Sequence, residues 1–136
     1  MQDASTIINI DESDGLITGG MVNSLLHFED ISYLGTNNGL FLLKGNKIFR
    51  HYNLRDGLKS KKILDMDIDL NGTLWLATTK GLSRLKNGKI INFTKSDGLP
   101  SNLVLSVHID KINSDIIWTG SMKSGLTRYN EKGFFT

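Results

Sequence analysis

The side chains able to do chemistry are few and scattered. Three histidines, His27, His51 and His108, lie far apart in sequence. No His-x-x-x-His pair, glycine-rich phosphate loop or nucleophile-elbow pattern occurs. Asp11, Glu12 and Asp14 cluster, but on what reads as a strand end and turn, so they form a solvated edge rather than an acid–base pair. There is no cysteine, which removes disulfides, thiolate metal sites and a thiol nucleophile. No catalytic residue, metal or cofactor is expected. A net charge of +2 over 136 residues gives no footing for nucleic acid, and Lys59-Ser60-Lys61-Lys62 reads as a solvated loop. No stretch is long and apolar enough to span a membrane, and "MQDASTIINI" lacks the basic and apolar stretches of a signal peptide.

Loops held on a rigid scaffold are where binding usually sits, and in this chain the loops recur. Asp-Gly-Leu appears at Asp14, Asp56 and Asp97, spaced 42 and 41 residues apart. A second Gly-Leu recurs at Gly39, Gly81 and Gly125, and an aromatic at Tyr33, Trp75 and Trp118. "IINIDESDGL" (7–16) matches "IINFTKSDGL" (90–99), so the chain opens on the tail of an earlier unit.

Each unit reads as four short strands. In the middle one these are "KKILDMDID", "GTLWLATT", "KGLSRLKNG" and "KIINFTK". Asn71-Gly72 and Asn87-Gly88 are hairpin signals. Alternation over Ile63–Ile68 puts Leu64, Met66 and Ile68 on one face and Ile63, Asp65 and Asp67 on the other. A four-stranded antiparallel repeat of this length is the size of one propeller blade. The expected fold is all-β: a partial β-propeller over 1–136, with a leading strand at 6–12 and blades at 13–54, 55–95 and 96–136. Tyr33, Trp75 and Trp118 are expected to fill the space between blades. Gly15, Gly57 and Gly98 should make the turn that crosses from one blade to the next, with the following leucine tucked between them.

Crossings and second-to-third-strand turns should share one rim. It would present Asn37, Asn38, Lys59, Lys61, Lys62, Lys80, Asn102 and Lys123 as candidate ligand contacts. The innermost strands offer Asn23, Asp65, Asp67, Ser106 and His108, either lining a central channel or bonding backbone near the axis. His27 is expected at a strand end, in the place of Asp69 and Asp110.

The order Asp97-Gly98-Leu99-Pro100-Ser101-Asn102, an apolar strand ending in Asp110, Leu74-Trp75 or Ile117-Trp118, Gly-Leu, then Ser83-Arg84-Leu85 or Thr127-Arg128-Tyr129 resembles the two-component regulator propeller repeat. The resemblance covers nearly all of the chain. No Trp-Asp occurs, which sets it apart from the WD-type repeat. The resemblance implies a non-enzymatic sensing module on the periplasmic or extracellular side of a membrane-anchored bacterial sensor, with a carbohydrate as the implied ligand. A fragment of a propeller lyase and a protein-interaction scaffold are the alternatives. Three blades do not close a ring. Further blades, or a second copy supplying six in all, are therefore the expected partners, with "TIINI" pairing to a blade edge in the neighbouring copy.

Overall fold

The computed structural model describes residues 7–16, 21–130 and 133–135. Twelve strands among them form three four-stranded antiparallel sheets in simple meander order. The first holds β1 (Val22–Phe28), β2 (Ile31–Thr36), β3 (Gly39–Lys44) and β4 (Lys47–Tyr52). The second holds β5 (Ile63–Ile68), β6 (Leu74–Thr78), β7 (Gly81–Lys86) and β8 (Lys89–Phe93). The third holds β9 (Val104–Ile109), β10 (Ile117–Ser121), β11 (Gly125–Asn130) and β12 (Gly133–Phe135). These are the three expected blades.

The blades stack face to face, and burial concentrates where they meet. Between blades 1 and 2, Tyr33, Leu40 and Leu42 pack on Ile63, Met66, Leu74 and Leu76. Between blades 2 and 3, Trp75, Ala77 and Leu82 pack on Val104, Val107, Ile109 and Ile117. β6 is buried at all five positions because both of its faces meet another sheet. Tyr33 and Trp75 thus sit between blades as expected, whereas Trp118, on the outer face of blade 3, is only half-buried.

Each crossing is a single 3-10 turn. Gly57 and Gly98 adopt φ of 113° and 109°, a left-handed conformation that favours glycine. The chain then delivers Leu58 and Leu99 into the two inter-blade cores, and Leu16 onto the free face of blade 1. The aspartate of each Asp-Gly-Leu has its own task. Asp14, Asp56 and Asp97 accept the backbone N–H of Asp11, Asn53 and Thr94 at 3.0, 2.9 and 2.8 Å, closing the turn on itself.

Two expectations need correction. Residues 7–11 do not form a strand. They lie over the free face of blade 1, where Ile10 and Leu16 pack on Phe41 and Leu43. This is the place an outermost strand of a preceding blade would hold, but a β-ladder needs a neighbouring strand, and none of the described strands pairs with the segment. The strict alternation in β5 also fails. A register shift between Ile63 and Asp65 makes Leu64 a bulge and turns Ile63 to the Met66 face, into the blade 1–2 core. The same irregularity falls at Asn23 in β1 and Leu105 in β9.

Candidate functional site

The crossings and the β2–β3-type turns do share a rim, and hydrogen bonds tie them together. Gly39 N–H donates to the Lys61 carbonyl at 2.6 Å, and the Ser60 and Thr79 hydroxyls meet at 2.7 Å. The rim amides are largely occupied by this scaffold. Asn37 Oδ1 accepts from Asn23 at 2.8 Å, and Asn102 Oδ1 accepts the Lys95 N–H at 2.8 Å. The Asn38 carbonyl meets His51 Nε2 at 2.7 Å. Lys59, Lys61, Lys62, Lys80 and Lys123 are exposed. None of these residues lines any of the clefts described below.

The innermost-strand residues link blades. Asn23 Nδ2 donates to the Ile63 carbonyl at 2.9 Å, reaching from blade 1 to blade 2. Asp65 Oδ2 accepts the Val107 N–H at 3.0 Å, and Asp67 Oδ2 accepts the Ile109 N–H at 2.8 Å, each reaching 42 residues ahead in sequence. Asp67 also holds Lys111 Nζ at 3.0 Å, with His108 Nδ1 at 3.7 Å. β9 is the edge strand of its sheet, so these carboxylates cover edge N–H groups that would otherwise lack acceptors. Ser106 and His108 occupy the matching positions in blade 3 and are exposed. His27 lies within β1, exposed, with Nδ1 3.1 Å from the Ser32 hydroxyl, and not at the turn position of Asp69 and Asp110. The β1–β2 hairpin is shorter than its two counterparts, so register and repeat number part company there.

The clefts lie on the opposite rim, where the hairpin loops of blades 2 and 3 meet. Asp69 Oδ1 accepts the N–H groups of Asn71 and Thr73 at 2.9 Å and shapes the β5–β6 loop. Asp110 does the same for β9–β10, accepting from Asn113 and Ile112, both at 2.9 Å. Those bonds hold the Asp110 carboxyl below its ordinary value. Between the two loops opens a cleft whose inner part, about 90 Å³, is walled by Asp69, Thr73, Trp75, Arg84, Tyr129 and Asp115. It widens to an outer space of about 310 Å³ beside Lys86, Asn87 and Ser114.

Arg84 is the distinctive side chain of this cleft. It pairs across strands with Trp75, and its guanidinium carbon lies 5.6 Å from the Trp75 ring and 5.7 Å from Phe93. Tyr129 completes the aromatic group, 5.4 Å from Trp75 and 5.5 Å from Phe93. In the sequence Arg84 does not stand out, because it is a regular member of the repeat. The signal was its neighbour: Lys86, two residues on, carries a second cation on the same side of β7.

No protein-family model matches the chain, and no curated protein matches it. Solved structures do. Over 98% of its length the chain resembles the extracellular domain of the hybrid two-component system BT3049 from B. thetaiotaomicron, with a TM-score of 0.82 and 25% identity. The chain spans 19% of that domain's length. The extracellular domain of BT4673 from the same organism matches 83% of the chain at a TM-score of 0.66 and 23% identity, and the chain spans 15% of it. Virginiamycin B lyase from Staphylococcus aureus matches 88% of the chain at 0.69 and 15%, and the chain spans 41% of it. The last two likenesses are of fold alone. Blade repeat, inter-blade packing and likeness across 98% of its length together show that the chain has the propeller-blade fold seen in the extracellular domain of the hybrid two-component system BT3049.

Proposed function

We propose that this chain is a blade segment of an extracytoplasmic sensor propeller, non-enzymatic, which binds a carbohydrate and passes the binding event to a signalling domain across a membrane. The observation that carries the reading is the match to the BT3049 extracellular domain over nearly the whole chain. Two outcomes test it. Melting the protein against a panel of mono- and oligosaccharides should give a saturable rise with at least one. A ligand at about a hundredfold its Kd adds about 2.7 kcal/mol, a shift well above noise. A flat panel overturns the carbohydrate assignment. The encoding reading frame should continue into a transmembrane helix and a kinase or DNA-binding domain. Continuation into a catalytic domain without a membrane anchor overturns the sensor assignment.

The same reading gives the end faces a role. Leu82 is fully buried between blades 2 and 3, whereas Leu126, its counterpart on the outer face of blade 3, is 59% exposed. Met66 is buried, whereas Leu25, its counterpart on the free face of blade 1, is 66% exposed. The two faces are thus the two halves of the interface already used twice within the chain. This supports further blades, or a second copy docked head to tail, as the partner of each.

A further inference from the structure

We infer that the cleft between blades 2 and 3 on the hairpin rim is a binding site for a small hydroxylated carboxylate, held by Arg84 and Lys86. The inference goes beyond the sensor reading and stands or falls apart from it, because it concerns the ligand's charge and not its downstream use.

Arg84 Nε is buried and has no hydrogen-bond partner among the described residues. No described residue bonds its two Nη nitrogens either, and Arg84 lines the cleft. Buried donors in folded proteins almost always have acceptors, so one that lacks an acceptor needs a reason. Packing does not supply the reason. The corresponding position in blade 1 is Leu42, which fills the blade 1–2 interface as pure core. The blade 1–2 interface therefore works without a guanidinium; blade 3 repeats the arginine as Arg128 over Trp118, on its outer face, so only Arg84 is set between two blades.

The ring group restrains that guanidinium. Trp75 and Phe93 both lie within about 6 Å of its central carbon, at 5.6 and 5.7 Å, so part of its side-chain freedom is already lost before an anion docks. A carboxylate matches the planar fork with two parallel hydrogen bonds. Lys86 lines the same cleft, and no described residue pairs with it. The opposite wall sets the rest of the ligand. Ser114 and Asp115 come from the β9–β10 loop, and hydroxyl groups suit both, whereas a second carboxylate would be repelled by Asp115. Asp69 is less free to repel, since its Oδ1 is engaged by two loop N–H groups.

The test uses the full chain labelled with 15N, titrated at constant ionic strength with glucuronate, acetate, glucose and chloride, and read at the Arg84 Nε–H resonance. Glucuronate is expected to shift it saturably, with a Kd of about 1 mM, acetate more weakly, and glucose and chloride not at all. Lys86→Gln, an exposed change, should weaken glucuronate about tenfold while leaving the rest of the spectrum in place. Asp115→Asn should tighten it by removing the repelling charge. A folded wild-type protein whose Arg84 resonance ignores glucuronate up to about 20 mM overturns the inference. So does an Arg84 resonance that moves on Asp115→Asn alone as far as the ligand moves it, since Asp115 would then be the arginine's partner. A response to neutral sugars with none at Arg84 keeps the sensor reading and overturns this one.

Discussion

Replacing Trp75 with alanine should be among the most damaging single changes in this chain. Trp75 is 4% exposed and packs in the blade 2–3 core with Leu82, Val107 and Ile117. Truncating a buried large aromatic typically costs about 3–5 kcal/mol, part lost transfer energy and part cavity. Trp75 also gives up ring contacts to Phe93 and Tyr129 and the face on which Arg84 rests. Each aromatic pair is worth about 0.5–1.5 kcal/mol beyond burial, which puts the loss near the upper end of that range. Against a total stability of about 5–15 kcal/mol this is a large fraction, and at about 3 °C per kcal/mol it lowers Tm by roughly 15 °C. Trp118 is the control, since it occupies the same repeat position but is half-buried, with Arg128 over its ring. Trp118→Ala should cost about 1 kcal/mol or less in dilute monomer, the range of an uncovered position. Urea melts of the two variants decide it. A Trp75 loss below about 1 kcal/mol, or a Trp118 loss as large as that of Trp75, would refute the claim that blade stacking sets burial.

Asp67→Ala removes the acceptor of the Ile109 N–H and should cost about 2 kcal/mol in chemical denaturation, whereas Asp67→Asn, which keeps an acceptor oxygen, should lose less than half of that. Equal losses would mean that charge, not the hydrogen bond, is what matters. Gly81→Ala should cost about 3 kcal/mol or prevent folding, because φ is 114° and the added methyl would meet the Phe93 carbonyl oxygen; a melt unchanged from wild type would contradict the turn geometry. Burial, then the nearby Glu29 charge, raises the Tyr33 phenol above its ordinary value of 10.0. A raised folded-state value means that its contribution is intact below pH 10.0 and is lost as pH climbs through the higher value. The Tm of wild type should therefore fall more steeply above pH 10.0 than that of Tyr33→Phe, and parallel profiles would show that Tyr33 ionises as freely folded as unfolded.

The repeat made most of the fold legible. Its period, its hairpin signals and its recurrent aromatic lead to three blades, and Asp-Gly-Leu leads to the crossings. What stayed hidden depends on relations that a linear repeat does not express. The bulge at Asn23, Leu64 and Leu105 carries no common residue type, so strict alternation placed Ile63 on the wrong face. The short β1–β2 hairpin slipped His27 out of register with Asp69. Asp65 and Asp67 were legible as inner-strand carboxylates, but that their partners are amides 42 residues ahead follows only once blades are stacked. The cleft was missed for the same reason: its walls come from two blades, and each alone reads as an ordinary turn.

The three sheets form an open stack, and its end faces carry the exposed counterparts of inter-blade residues, Leu25 and Leu126. Light scattering over a range of concentrations tests this most directly. The mass should rise with concentration toward multiples of the single chain, with a midpoint near about 100 μM. Leu126→Glu, on the outer face of blade 3, should hold the protein at one chain while leaving its β spectrum intact. A folded wild-type protein that keeps the mass of one chain at all concentrations up to about 1 mM would contradict it.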